Sequence, residues 1–311
     1  MLQYAAARDV GSRDTLARPR RVARRGWRRR VISRECIAIA AACVALPLVA
    51  AAHPAVGIVV DRTGTVFYSD TVHVWTIRPD GTKAIVVRDV HTHELWLDAD
   101  GVLYGEHLWY EGDATKRWGH RVWKRALDGV VSDVISARPG FLSDYHDFSF
   151  TRDAAGAMFW MEGSKPAQLR MKQQGGEAVT LASLDFTNQS WLSVMPDGTV
   201  YVSEGGVLWR VRAGAPPTRL PDVVSRSRGR LAVMGVAGAA DGSIYVAAYE
   251  DRAVRRVSPS GEVTTITSTP SGWGPTGIAI AADGTVWVLE ASVTNAQRVR
   301  RLSRNGAVRV F

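Results

Sequence analysis

The chain has 311 residues, of which 46% are apolar and 22% are charged. This balance is ordinary for a globular protein and excludes a disordered or low-complexity chain. The formal net charge is +9, but residues 1–35 carry +8 of it, so about +1 remains for the rest of the chain. We therefore expect no basic groove and no nucleic-acid partner. Both cysteines, Cys36 and Cys43, precede residue 53, so the body has no disulfide framework or zinc–cysteine site.

The N-terminal region has the pattern of an export signal. An uncharged apolar run, IAIAAACVALPLVAAA (37–52), follows Arg28, Arg29, Arg30 and Arg34. The basic start, the apolar run and its small-residue end predict a secretory signal that is cleaved before His53. The alternative is an uncleaved signal anchor, although this run is short for a membrane span, which needs about 20 residues. We expect residues 1–52 to be this leader. The protein is then exported (periplasmic or secreted), or membrane-anchored with its folded domain outside.

The remaining sequence repeats one pattern six times. Each copy has a short apolar strand, a D-x-x-G or D-G turn and a second apolar strand, with turn glycines at Gly64, Gly101, Gly156, Gly198, Gly242 and Gly284. Several copies are followed by a second hairpin, such as VWTIRPDGTKAIVV (74–87). Two hairpins make a four-stranded antiparallel sheet of about 42 residues. The repeat predicts an all-β, six-bladed β-propeller over residues 53–311. Its first and last blades would be joined by side chains alone, since no strand exchange is needed to close the ring.

Two blades carry a pattern that resembles known propeller families. They are GPTGIAIAADGTVWVLE (274–290) and MGVAGAADGSIYVAAYEDRAVRRVSPSGEV (234–263). The repeat resembles NHL-repeat proteins, the gluconolactonase (senescence-marker-like) family and virginiamycin B lyase. In the lactonases, metal-binding Asn or Asp stands about eight residues before the turn glycine, where this chain has Ser190 and Met234. In the lyase, a late-blade His stands there, where this chain has Met234 and Thr276, and only Glu290 matches the lyase's Glu. The resemblance thus implies the fold more strongly than either activity.

Propeller geometry brings selected positions of every blade to one face. The start of the first strand and the end of the second strand meet beside the axis, at what we call the top face. Six residues after the turn glycines stand Asp70, His107, Glu162, Glu204, Ala248 and Glu290; ten or eight residues before them stand His91, His93, His146 and Asn188. Five of the seven histidines lie between residues 91 and 146. The sequence therefore predicts a polar funnel at the top face, concentrated in blades 2 to 4.

These residue types suggest acid–base or metal chemistry. We interpret His93, His107, Glu162 and Glu204 as candidate catalytic groups. The candidate ligands of a divalent metal ion (Zn, Ca or Mn) are His91, His93, His107 and His146. An insertion at residues 108–119 supplies Trp109, Tyr110 and Trp118, which with Asn188, Asp70 and Glu290 form the predicted ligand-binding set. In the alternative interpretation, the polar groups pair within the fold and the aromatic rings pack as ordinary core.

Three functional hypotheses follow. The first is an exported, metal-assisted hydrolase of the lactonase or esterase type that handles a small ligand in the funnel. The second is a non-catalytic NHL-like propeller that binds a ligand or a protein, and the third is a metal-dependent lyase. A small molecule is the predicted partner, the membrane is involved only through an uncleaved leader, and the protein is predicted to be a monomer. Whether it is an enzyme stays open at this stage.

Overall fold

The computed structural model describes residues 54–110, 114, 118–139, 150–162, 166–185, 189–225, 229 and 231–311. The predicted leader, His146 and Asn188 lie outside these residues. Within the described ranges, no helix is long and apolar enough to cross a membrane.

The described residues form six sheets of four strands each. Blades 1 and 2 comprise β1 (Ile58–Val60), β2 (Val66–Ser69), β3 (Val74–Ile77), β4 (Lys83–Val87), β5 (Leu95–Leu97), β6 (Leu103–Tyr110), β7 (Trp118–Arg125) and β8 (Val131–Pro139). Blades 3 and 4 comprise β9 (Phe150–Arg152), β10 (Met158–Glu162), β11 (Ala167–Lys172), β12 (Ala178–Leu184), β13 (Gln189–Val194), β14 (Val200–Glu204), β15 (Val207–Val211) and β16 (Thr218–Arg219). Blades 5 and 6 comprise β17 (Val233–Gly238), β18 (Ile244–Ala248), β19 (Ala253–Val257), β20 (Val263–Ser268), β21 (Trp273–Ile280), β22 (Val286–Ser292), β23 (Gln297–Leu302) and β24 (Val308–Val310).

Each blade is an antiparallel meander whose strands pair in chain order. The predicted six-bladed propeller of four-stranded blades is therefore confirmed. In blade 4 the outer strand β16 has only two residues. Pro216 and Pro217 precede it, and proline cannot donate to a strand ladder.

The D-x-x-G turns are built by an aspartate and a glycine. In blade 1, the Asp61 carboxylate accepts hydrogen bonds from the backbone N–H groups of Thr63 (2.8 Å) and Thr65 (2.9 Å). Gly64 has φ of 82°, a conformation that glycine adopts without steric cost. Asp98 and Asp153 cap the corresponding turns of blades 2 and 3 in the same way. The D-x-x-G pattern therefore recurs in the sequence because each of these turns needs an aspartate that caps it and a glycine with positive φ.

Ring closure uses backbone contact as well as side chains. Ile58 and Tyr68 of blade 1 share one buried apolar cluster with Trp287 and Leu289 of blade 6. A Cβ atom at Gly277 would lie 2.1 Å from the carbonyl oxygen of Val56, so the two backbones meet where no side chain fits. The predicted closure without strand exchange is present, but the expectation that side chains alone make it was wrong.

Residues 108–110 and 118–119 of the blade 2 insertion lie in paired strands and not in a loop. Strand β6 continues to Tyr110 and β7 begins at Trp118, with these two residues opposite each other in register. Antiparallel pairing satisfies the backbone groups of this extension. The described ends of the insertion therefore continue the blade itself at the top face.

Candidate functional site

Three histidines form a cluster on blade 2 at the top face, which we call the histidine cluster: His91, His93 and His107. The Nε2 atoms of His91 and His93 are 2.9 Å apart, with ring centroids separated by 4.6 Å in an edge-to-face arrangement. The backbone N–H of His91 donates to Nδ1 of His107 at 2.9 Å. The structure thus places these three histidines next to one another, as the sequence predicted.

The hydrogen bonds assign the tautomers of the cluster. Nδ1 of His91 lies 3.0 Å from the Thr71 carbonyl, which only accepts, so the His91 proton is on Nδ1. Nε2 of His91 is then an acceptor, and Nε2–H of His93 donates to it. His107 accepts at Nδ1, so its neutral ring carries the proton on Nε2. The cluster thus combines a linked pair of imidazoles with one imidazole that presents an N–H.

Burial favours the neutral form of two members of the cluster. Desolvation lowers the pKa of His91 below its ordinary value of 6.5, against the opposing hydrogen bond to Thr71. Desolvation also lowers the pKa of His107, as does the positive charge of Arg121, and protonation of His91 would lower it further. Neutral imidazoles are the form that can accept a proton at physiological pH.

Neighbouring residues hold the cluster from two sides. Thr71 has φ of 69°, which is rare for a β-branched residue and places its carbonyl on His91. The indole of Trp109 stacks on His107 with ring centroids 5.9 Å apart. A Cβ atom at Gly119 would lie 1.8 Å from that indole, so the ring lies against bare backbone. Trp109 therefore packs on its own hairpin and contacts the cluster.

A carboxyl pair lies beside the cluster, and sequence reasoning had not assigned it a role. Oε1 of the buried Glu106 accepts from the backbone N–H groups of His93 (2.5 Å) and Glu94 (2.9 Å). Burial, and then the charge of Glu106, raise the pKa of Glu94 well above its ordinary value of 4.5, while a hydrogen bond from Thr151 lowers it only in part. Glu106 is thus suited to carry the charge, and Glu94 to carry a proton.

Glu94 also faces a cavity on the propeller axis. This axial cavity has a volume of about 560 Å³ and is lined by the inner strands of all six blades. Its lining runs from the level of Gly57 and Glu94 to the D-x-x-G turns at the opposite face, which we call the bottom face. His91, His93 and His107 are not among its lining residues.

The other predicted site residues stand apart from the cluster. Asp70 caps the start of β3 by accepting from the backbone of His73 (2.6 Å) and from the Trp75 indole (2.6 Å). Glu162 is exposed and pairs with Arg170 at 3.2 Å, and Glu204 lies at the end of β14, opposite Gln189. For Tyr110 and Trp118 the structure gives the strand register alone. The roles predicted for these residues stay predictions.

The late-blade positions of the lyase pattern are buried in this chain. Met234 and Thr276 are 1% and 0% exposed. Glu290 is also 0% exposed and forms ion pairs with Arg298 (2.6 Å) and Arg300 (3.1 Å). Among the described residues, the histidines of the predicted funnel all lie on blade 2.

The described residues do not by themselves fit a metal ion. Among them, no group of three or more His, Cys, Asp or Glu side chains has an arrangement that could hold a metal ion. His91 and His107 also use Nδ1 in hydrogen bonds with protein groups. The predicted fourth ligand, His146, lies outside the described residues, so the four-histidine metal site stays a prediction.

Comparisons with known proteins agree with the fold. No known family model matches the chain. A virginiamycin B lyase from Nocardia farcinica is 36% identical over 119 residues, which is 36% of this chain and 40% of that protein. The match therefore spans well under half of its relative.

Solved structures extend the likeness over most of the chain. A catalytically inactive variant of virginiamycin B lyase from Staphylococcus aureus with quinupristin has a TM-score of 0.51 and 15% identity, covering 86% of each chain. A gluconolactonase from Xanthomonas campestris (TM-score 0.53, 15% identity) covers 77% of this chain and 84% of its own. A calcium-binding regucalcin from Agrobacterium tumefaciens (TM-score 0.52, 16% identity) covers 76% and 81%. This chain is a six-bladed propeller that shares their fold and is distantly related in sequence to virginiamycin B lyase.

Proposed function

We propose that this chain is an acid–base enzyme that opens a small cyclic ester at the histidine cluster, by elimination of the lyase type. The linked imidazoles of His91 and His93 carry this proposal, because burial depresses the pKa of His91 and so keeps it in the neutral form that accepts a proton. The sequence likeness to a lyase supports elimination over hydrolysis.

The neighbouring groups have complementary roles in this proposal. In the elimination, a proton leaves the carbon next to the ester-bearing carbon, a C=C double bond forms, the alkyl C–O bond breaks and the ester departs as a carboxylate. The His93 imidazole takes this proton while its Nε2 proton passes to Nε2 of His91, which the Thr71 carbonyl holds in the tautomer that accepts there. Nε2–H of His107 donates a hydrogen bond to the ester carbonyl, where negative charge develops. Trp109, stacked on His107, keeps that ring in place. No step of this scheme passes through a metal ion.

Product mass distinguishes the two ring-opening reactions. The purified full-length chain is incubated with virginiamycin B and, separately, with δ-gluconolactone, and products are identified by liquid chromatography and mass spectrometry. Elimination opens a ring without changing its mass, whereas hydrolysis adds one water. We expect a ring-opened product of unchanged mass. A product heavier by one water supports the lactonase-type hydrolase, and binding without turnover supports the non-catalytic propeller.

Variants connect turnover to the cluster. We expect His93→Ala and His107→Gln to lower kcat by about 100-fold or more, the usual contribution of a general acid or base. The matched control is His73→Gln, because His73 lies on blade 1, where its Nδ1 accepts from the backbone N–H of Asp89. Equal activity in all three variants would place the chemistry elsewhere.

Metal content is a separate measurement. Elemental analysis of the purified full-length protein, with and without His93→Ala, tests the four-histidine prediction. About one equivalent of Zn, Ca or Mn that is lost in the variant would support a metal-assisted form of the same reaction. Cell fractionation of the expressed chain tests the proposed export.

A further inference from the structure

The axial cavity has the size and shape of a small-molecule site. Its volume of about 560 Å³ falls within the range of about 300–1,000 Å³ that is usual for ligand pockets. The lining includes Ala99 and Pro196 at the bottom-face turns. The axial cavity therefore extends from Glu94 toward the bottom face, away from the histidine cluster at the top face.

The wall of this cavity is largely apolar. Five of the six inner strands contribute aliphatic residues, among them Ile58, Leu97, Val194, Val236 and Ile280, while β9 contributes Thr151 and Arg152. Such a wall favours an apolar ligand, because it removes the ligand's surface from water without leaving polar groups unpaired.

The charged residues at the two ends of the cavity differ in their interactions with the rest of the protein. At the bottom face, Arg152 places its guanidinium over the Tyr104 ring at 4.4 Å, and Asp153 accepts from the backbone of Ala155 and Ala157. At the inner end, Glu94 is one of the lining residues, and Thr151 donates a hydrogen bond to its carboxyl group. Among the described residues, no basic residue that lines the cavity forms an ion pair with Glu94. The inner end of this largely apolar cavity therefore carries a carboxyl group that can form hydrogen bonds.

We propose that the axial cavity is a second ligand site, separate from the histidine cluster, which binds an apolar molecule with one amine group seated on Glu94. A hydrogen bond joins the amine to the carboxyl group in either protonation state: N–H⁺···O⁻ when the shared proton lies on nitrogen, and O–H···N when it lies on oxygen. A ligand carboxylate in the same position would add a negative charge beside that of Glu106, which disfavours its binding. The apolar remainder of the ligand extends along the aliphatic wall toward the bottom face.

Three probes of nearly equal shape test this chemistry. Isothermal titration calorimetry on the full-length chain compares 4-butylbenzylamine, 4-butylbenzyl alcohol and 4-butylbenzoate. We expect the amine to bind about tenfold or more tightly than the alcohol, which is the usual scale of a charge-assisted hydrogen bond. The benzoate should bind most weakly. Equal affinity for amine and alcohol, or no binding by any probe, would overturn the proposal.

Two variants locate the binding. Glu94→Gln should erase the preference for the amine, whereas Glu177→Gln, the same change at an exposed residue of blade 3, should keep it. Val236→Phe should weaken all three probes by filling the cavity, and thermal unfolding shows that each variant is folded. Should Glu94→Gln fail to fold, loss of probe binding in folded Val236→Phe still tests the location. A preference retained in folded Glu94→Gln, or undiminished binding in folded Val236→Phe, would refute the site.

Discussion

At the scale of single residues, the histidine cluster shows how burial sets chemistry. His93 is 2% exposed, and its ring is held by the neighbouring ring of His91. The chain thus places the His91 imidazole where protonation is disfavoured, while the backbone carbonyl of Thr71 fixes the direction of the hydrogen bonds of the pair.

The depressed pKa of His91 and His107 predicts the pH dependence of turnover. In the unfolded chain both imidazoles are neutral only above about pH 6.5, whereas in the folded protein they stay neutral to lower pH. We therefore expect kcat/KM to hold as pH falls to 6.5 and to decline only below it. A pH–rate profile of the full-length chain measures this limb. A decline that begins above 6.5 would show that another group controls the rate.

The same shifts affect folding stability with a definite sign. Between the folded pKa and 6.5, the unfolded chain binds more protons than the folded one, so the free energy of unfolding falls as pH decreases. This contribution of the two histidines to stability is complete above pH 6.5 and is lost as the pH falls through their pKa values in the folded protein. Chemical denaturation at several pH values measures this slope, and His107→Gln should reduce it.

The Glu290 ion pairs predict a structural cost at the residue scale. Glu290→Gln leaves Arg298 and Arg300 without their buried counter-charge. We expect the free energy of unfolding to fall by about 3–5 kcal/mol. Glu162→Gln, at the equivalent position of blade 3, breaks an exposed pair with Arg170 and should cost about 1 kcal/mol or less. Chemical denaturation compares the two. Unchanged stability in Glu290→Gln, together with lost ligand binding, would favour the ligand role predicted from the sequence.

At the scale of elements, the long β6–β7 hairpin of blade 2 is organised by one glycine and one tryptophan. Gly119→Ala introduces a Cβ atom into the indole of Trp109. We expect a loss of about 1–3 kcal/mol in the free energy of unfolding, as in other overpacked sites. The double variant Gly119→Ala with Trp109→Ala should lose less than the sum of the two single changes. Additive losses would mean that the two residues do not contact each other.

At the scale of the whole molecule, the ring depends on close backbone approach between blades 6 and 1. Gly277→Ala places a methyl group against the Val56 carbonyl, and we expect a loss of about 3 kcal/mol. Gly176→Ala is the control, because its added Cβ would lie 3.6 Å from the nearest atoms and should change stability by about 0.5 kcal/mol or less. Thermal and chemical unfolding measure both. Equal stability changes in the two variants would show that the contact between blades 6 and 1 accommodates the added methyl group without loss of stability.

The blades were predictable from sequence because each depends on local rules. An aspartate that caps a turn and a glycine with positive φ recur in every repeat, and apolar strands flank them. The long blade 2 hairpin was not predictable, because its charged and aromatic residues do not follow the repeat. Glu94 was overlooked for a related reason. It stands seven residues before its turn glycine, where Gly57, Gly235 and Gly277 stand in other blades, and this register places it beside the axis. Its partner Glu106 comes from the next strand, and only folding brings them together.

Ring closure also has a consequence for the order of folding. Every blade is made from consecutive strands, so its contacts are local and form at low loop-closure cost. The contact between blades 1 and 6 instead joins the two ends of the propeller and must await the whole chain. A chain that emerges from a ribosome or an export channel can therefore assemble blade by blade and seal the ring last. Stopped-flow kinetics should then show that Gly277→Ala accelerates unfolding while it leaves the folding rate nearly unchanged.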